Sequence, residues 1–187
     1  GSLYEDFFTG DVTVTANLIN AGVEATTASF RAPAVYATKG VDGSDMDWTI
    51  TRFALLDLDG DGADELVLNI DFSGEEEYVI LTCYDGAVYA NQVVYRGFLS
   101  PKADGTFEWS NGAFDNGASR ARFENGVLVY DDFAAMSEGS DGNAVYTLNG
   151  ESIDEAAYSA FLDEQAAKDD LAWTEFSVDA VNAALAG

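Results

Sequence analysis

The sequence predicts an α+β fold, an antiparallel β-sheet meander with short N-terminal and C-terminal helices. Two observations favour this class. Apolar and polar residues alternate along much of the chain between residues 48 and 148, as they do in strands with one buried face. Asp-Gly and Asn-Gly pairs recur between these runs, and such pairs close β-hairpins.

Both ends of the chain have helical spacing. Apolar side chains within residues 3–8 would share one face of a short helix. Ser152 and Glu155 have the spacing of a capping box, which predicts a helix running to about Lys168. Ser177 would cap a last short helix. These features place the helices at the two ends of the predicted sheet.

Strand spacing begins at Trp48. Leu66, Leu68 and Ile70 share one strand face directly after an acidic loop, so we expect them to point into the core. Residues 10–44 show no clear period. The remaining predicted strands are residues 78–84, 87–95, 106–110, 118–124, 127–133 and 144–148, with turn pairs at 85–86, 104–105, 125–126, 141–142 and 149–150.

Size and charge restrict the function. A chain of 187 residues that is 48% hydrophobic suits one domain, residues 1–187. Its formal net charge of −26 would repel nucleic acid and anionic lipid, so we expect neither as a partner, and a monomer or weak dimer. No apolar run of about 18 residues is present, so this portion should not insert into a membrane.

The residue types also exclude much chemistry. The chain has no His, which removes the commonest general base and the partner that Ser or Cys triads require. Cys83 falls on the same predicted strand side as Val79 and Leu81, which favours a buried, inert thiol. Gly1-Ser2 without Met is typical of an expression-vector remnant, so we expect any signal peptide or lipoprotein anchor to have been removed.

The strongest local motif is the acidic loop that follows Phe53-Ala-Leu-Leu. Asp57, Asp59 and Asp61 alternate along it, and carboxylates at alternate loop positions converge when the backbone wraps around a common centre. Calcium takes six to eight oxygen ligands, and loops that bind it supply Asp side chains at positions 1, 3 and 5. The spacing therefore predicts a calcium site.

The following positions fit the same site. Gly62 stands at position 6, where the backbone turns sharply, the Ala63 carbonyl at position 7, and Glu65 at position 9. Position 12 is Leu68, where an EF-hand has a bidentate Glu, and the flanking residues alternate as strands. The predicted ligands are Asp57, Asp59, Asp61, Ala63 through its carbonyl, and Glu65.

The loop resembles the Asp-x-Asp-Gly-Asp-Gly-x-x-Glu hairpin loops of FG-GAP and integrin-type calcium-binding repeats, over about residues 53–70. The chain has one good copy, so a propeller is rejected. A wider likeness runs through residues 84–89, 95–98 and 104–113. In this order the segments look like uncharacterised secreted or lipid-anchored proteins of Gram-positive gut bacteria, which implies an extracellular or cell-surface location and no particular activity.

Other interpretations stay open. The loop would also suit an acidic hairpin turn without metal, because Asp and Gly populate turns. A second acidic cluster at residues 42–47 lacks the glycine at position 6, which favours a solvated loop. Trp109 is the best candidate for a sugar platform, although strand aromatics usually pack in the core.

Two functions follow from these patterns. The first is a non-catalytic secreted or surface domain that uses calcium to rigidify a hairpin and presents a binding face to protein or glycan. The alternative is a glycan hydrolase with paired carboxylates. Its nominal candidates are Glu108, Asp131 and Asp132.

Overall fold

A computed structural model describes residues 3–9, 12–20, 23–31, 48–72, 74–93 and 96–186. These residues form two β-sheets and three short helices. The helices are α1 (Leu3–Thr9), α2 (Glu155–Ala166) and α3 (Val178–Leu185). The strands are β1 (Thr13–Asn20), β2 (Val23–Arg31), β3 (Trp48–Leu56), β4 (Glu65–Phe72), β5 (Glu75–Tyr84), β6 (Ala87–Val93), β7 (Thr106–Gly112), β8 (Asp115–Glu124), β9 (Val127–Glu138), β10 (Ala144–Leu148), β11 (Glu151–Ile153) and β12 (Thr174–Glu175).

The first sheet has seven strands in the order β12-β3-β4-β5-β6-β1-β2. Strands β3 to β6 are joined by consecutive antiparallel pairings, as the alternation predicts. Strand β1 pairs parallel to β6, with Ala16 opposite Ala90. The prediction of a single antiparallel meander is therefore not confirmed, while a β-rich α+β class is.

The second sheet has five strands in the order β11-β10-β9-β8-β7, all antiparallel. The turn pairs explain its hairpins. Asn125 and Gly126 join β8 to β9 with φ angles of 53° and 82°, the left-handed pair that a two-residue hairpin requires.

The two sheets lie face to face. Val67, Ile80, Phe107 and Leu128 belong to the core between them. Helices α1 and α3 cover the other face of the seven-stranded sheet, where Phe7 and Val181 join its apolar side chains. Helix α2 packs on the outer face of the five-stranded sheet through Tyr158, next to Ala118 and Ala134. The layers are thus helices, sheet, sheet and helix.

Strand β4 lies between two covered faces. Residues 65–70 are all buried, and Leu66, Leu68 and Ile70 are fully buried against the helix layer, as predicted. Burial of apolar surface is worth about 25 cal/mol per Å². This strand therefore gives a rigid end to the acidic loop that precedes it.

Two local predictions need correction. The N-cap of α2 is Asp154, whose carboxylate accepts a hydrogen bond from Ala157 N at 2.8 Å, and Ser152 lies in β11 instead. Cys83 is exposed, because it lies next to the end of β5, where the last two residues of the strand are open to solvent. The predicted cap of the last helix is confirmed, since Ser177 Oγ accepts from Ala180 N at 3.1 Å.

Candidate functional site

The acidic loop connects β3 to β4. The pairing of β3 with β4 ends at Leu56, which lies opposite Glu65. Residues 57–64 therefore leave the sheet as one hairpin loop. Gly60 and Gly62 have φ angles of 79° and 90°, which a residue with a side chain rarely adopts. The glycines therefore allow the backbone to turn back toward the carboxylate that opens the loop.

Asp57 organises this turn. Its Oδ1 accepts hydrogen bonds from Gly60 N at 2.8 Å and Asp61 N at 3.1 Å, and its Oδ2 accepts from Gly62 N at 3.0 Å. Asp59 Oδ1 accepts from Asp61 N at 3.2 Å. Asp61 Oδ1 accepts from Ala63 N at 2.8 Å. The loop is thus wrapped around its own carboxylates.

Three of the predicted ligands lie together. Asp57, Asp59 and Asp61 each offer a carboxylate oxygen, and these oxygens all lie within 4.8 Å of one another. Asp59 and Asp61 are exposed and Asp57 is half-buried. Burial and the neighbouring charges of Asp61 and Asp57 raise the pKa of Asp59 above its ordinary value. A cation at this point would relieve that repulsion.

Glu65 lies on the inner side of the loop, outside this group of three. Its side chain is buried, with Oε2 accepting from Leu58 N at 3.0 Å and Oε1 accepting from Thr82 Oγ1 at 3.1 Å. Burial raises its pKa to about 7. The negative charges of Asp59 and Asp61 also raise it, and the two hydrogen bonds partly oppose the increase. Glu65 therefore ties the loop to the sheet.

Ala63 and Asp64 are exposed at the end of the loop. The Tyr4 hydroxyl of helix α1 lies 3.3 Å from the Asp64 carbonyl oxygen and 3.1 Å from that of Leu81, so its one proton is shared between the end of the loop and β5. The carboxylate of Asp64 is not one of the three that converge. It therefore serves as a matched control for them.

Leu58 anchors the beginning of the loop, a role that the metal motif does not predict. Its side chain is buried in the core between the sheets. A Cβ atom added to Gly105 would lie 3.3 Å from the Leu58 carbonyl oxygen, so the turn at residues 104–105 packs closely on the loop. In the sequence, the position of Leu58 between two aspartates indicates such a buried contact.

Two of the hydrolase candidates, Glu108 and Asp132, lie on opposite faces of the five-stranded sheet. Glu108 and Trp109 are successive residues of β7 and point to opposite faces of the sheet. Trp109 Nε1 donates to Asp132 Oδ1 at 3.0 Å, which puts Asp132 on the Trp109 side, away from Glu108. Burial raises the pKa of Glu108, and the positive charge of Lys102 nearby offsets part of this increase. Asp131 is exposed and opposite Arg120 in the next strand.

Trp109 is the wrong residue for a sugar platform, because only 7% of it is exposed.

The second acidic cluster, residues 42–47, lies outside the described residues. Within the described part of the chain, no helix is both long and apolar enough to cross a membrane. Comparison with protein-family models, curated proteins and solved structures found no match.

Proposed function

We propose that the loop of residues 57–65 binds one calcium ion, and that the chain is a non-catalytic binding module of a secreted or cell-surface protein. The supporting observation is the convergence of three carboxylates within 4.8 Å. Asp57, Asp59, Asp61 and the Ala63 carbonyl would hold the ion, with Glu65 on its inner side. The ion would lock the β3–β4 hairpin.

The donor set suits calcium. It consists of oxygens alone, which hard cations prefer. Calcium accepts six to eight oxygens in variable geometry, whereas magnesium demands a near-ideal octahedron, so a loop shaped by its own hydrogen bonds suits calcium better. A carboxylate has about four lone-pair positions on its two oxygens. Asp57 can therefore keep the hydrogen bonds from Gly60, Asp61 and Gly62 and still ligate an ion.

Charge repulsion alone does not decide between a metal site and an empty acidic turn. Two carboxylates about 4 Å apart repel by about 1 kcal/mol in a water-like medium, and the loop's hydrogen bonds offset much of that. The loop can therefore fold without an ion, and a bound ion would stabilise the folded state further.

The test is the melting temperature in excess chelator and in millimolar calcium. An ion that binds only the folded loop stabilises the fold by RT ln(1 + [L]/Kd), about 2.7 kcal/mol at 100 times Kd. Asp59→Asn should remove most of this calcium response, because it replaces a ligand carboxylate, while the amide oxygen can still accept the hydrogen bond from Asp61 N. Asp64→Asn removes the same charge and should preserve the response.

Two outcomes would contradict the proposal. Identical melting curves in chelator and calcium would show that the loop binds no ion. A larger loss of response in Asp64→Asn than in Asp59→Asn would show that the ligands are assigned to the wrong residues. Magnesium should give a smaller shift than calcium at equal concentration.

A further inference from the structure

Two hairpin turns meet at the end of the sandwich that carries the acidic loop. Strand β5 ends at Tyr84, whose hydroxyl donates to Asn125 Oδ1 at 2.8 Å. Asn125 belongs to the β8–β9 turn of the other sheet. Tyr89 packs on the same turn, since a Cβ added to Gly126 would lie 2.3 Å from Tyr89 Cγ. The turns of both sheets thus form one surface.

This surface adjoins the proposed calcium loop. Thr82 holds Glu65 through the 3.1 Å hydrogen bond at the base of the loop. Tyr84 is two residues farther along the same face of β5, about 7 Å at the rise of a strand. An ion that fixes the loop would therefore also fix one side of the Tyr84 surface.

Tyr84 is exposed and yet held in place. Its residue surface is 44% exposed, one of the largest values among the described large hydrophobic residues. Its hydroxyl is bonded to Asn125, and its ring meets that of Tyr89 edge to face at 6.1 Å and 73°. A ring fixed in this way loses little conformational entropy when a ligand stacks on it.

We infer that Tyr84 and Asn125 form a binding site for a neutral sugar residue of a glycan. The Tyr84 ring would stack on the apolar face of the sugar, as amphipathic aromatic side chains do. The Asn125 oxygen accepts from Tyr84, which leaves the carboxamide N–H groups to donate to a sugar hydroxyl. This assignment names the ligand class of the proposed binding module and rests on that proposed function.

Size and charge favour a neutral glycan over other ligands. A net charge of −26 repels acidic glycans and other polyanions. A stable protein interface buries about 800 Å² on each partner, far more than one ring and one carboxamide offer. One aromatic ring beside one carboxamide offers the mixture of apolar and polar groups that a single sugar ring presents.

The experiment titrates cello-, xylo-, manno- and galacto-hexasaccharides into the protein by calorimetry, in calcium and in chelator. At least one should bind the wild type. Tyr84→Ala should weaken that binding about tenfold, which corresponds to about 1.4 kcal/mol of lost stacking and burial. Tyr84→Phe keeps the ring and should lose less.

Phe114→Ala is the matched control. Phe114 is 49% exposed at the tip of the β7–β8 hairpin, and its loss should leave the affinity unchanged. Failure of all four hexasaccharides to bind would overturn the assignment, as would equal losses in Tyr84→Ala and Phe114→Ala. If calcium raises the melting temperature but no glycan binds, the glycan site alone is refuted. If calcium does not raise the melting temperature, the proposed calcium site is refuted.

Discussion

The carboxylate of Glu65 accepts a hydrogen bond from the backbone N–H of Leu58 at 3.0 Å, across the acidic loop. This bond joins the end of the loop to its beginning, while Thr82 bonds the other carboxylate oxygen. A buried carboxylate in this position holds the loop closed and is itself close to the charges of Asp59 and Asp61.

The first prediction concerns pH. Burial raises the pKa of Glu65 from 4.5 to about 7, so the folded protein keeps a proton that the unfolded chain releases. In chelator, this group should lower the free energy of unfolding by up to about 3 kcal/mol as the pH rises from about 4.5 to above 7, and leave it unaffected below 4.5.

The measurement is urea unfolding of wild type and Glu65→Gln at several pH values in chelator. Glu65→Gln removes the titrating group, so the difference between the two proteins should change across this range. Glu151→Gln, at an exposed position, should keep the pH dependence of the wild type. Parallel curves for wild type and Glu65→Gln would refute the raised pKa.

The second prediction concerns a buried carboxamide between the sheets. Asn91 Oδ1 accepts from Leu128 N at 2.9 Å and from Asn17 Nδ2 at 3.0 Å. Asn91 Nδ2 donates to the carbonyl of Gly126 at 3.0 Å. Asn91 is fully buried, so water does not replace these partners easily.

Asn91→Ala should lower the free energy of unfolding by about 3 kcal/mol, because each buried group left without a partner costs about 1–3 kcal/mol. Asn111→Ala, which removes an exposed hydrogen bond to Asp115 at 3.2 Å, should change it by less than about 1 kcal/mol, because water replaces that partner. Urea unfolding measures both. A loss no greater in Asn91→Ala than in Asn111→Ala would show that the Asn91 contacts do not stabilise the fold.

The sequence predicts local structure where a short-range pattern decides it. Alternation identifies Leu66, Leu68 and Ile70 as core residues on one shared strand face, although β4 is buried on its other face as well. A single hydroxyl at Ser177 identifies the start of a helix. Alternation says which residues share a face, but not what covers it. The division into two sheets and the parallel pairing of β1 with β6 depend on contacts far apart in the chain.

The same limit applies to the sites. The spacing of Asp57, Asp59 and Asp61 predicts their convergence, because one loop contains all three. Tyr84 and Asn125 are far apart in the sequence and meet only because both hairpins end on the same side of the sandwich. The alternation of Cys83 matches that of Val79 and Leu81, but Cys83 lies next to the end of β5, where the last two residues of the strand are exposed.

The most direct test of the central claim is a calorimetric titration of calcium into chelator-treated, desalted protein. One ion per chain should bind with a Kd of roughly 10⁻⁴ to 10⁻³ M, the range of extracellular modules, since Leu68 replaces the bidentate position 12 carboxylate. Asp59→Asn should weaken the binding at least tenfold and Asp64→Asn should leave it nearly unchanged. No saturable binding up to about ten times that Kd range, or equal binding by wild type and Asp59→Asn, would contradict a calcium site at this loop.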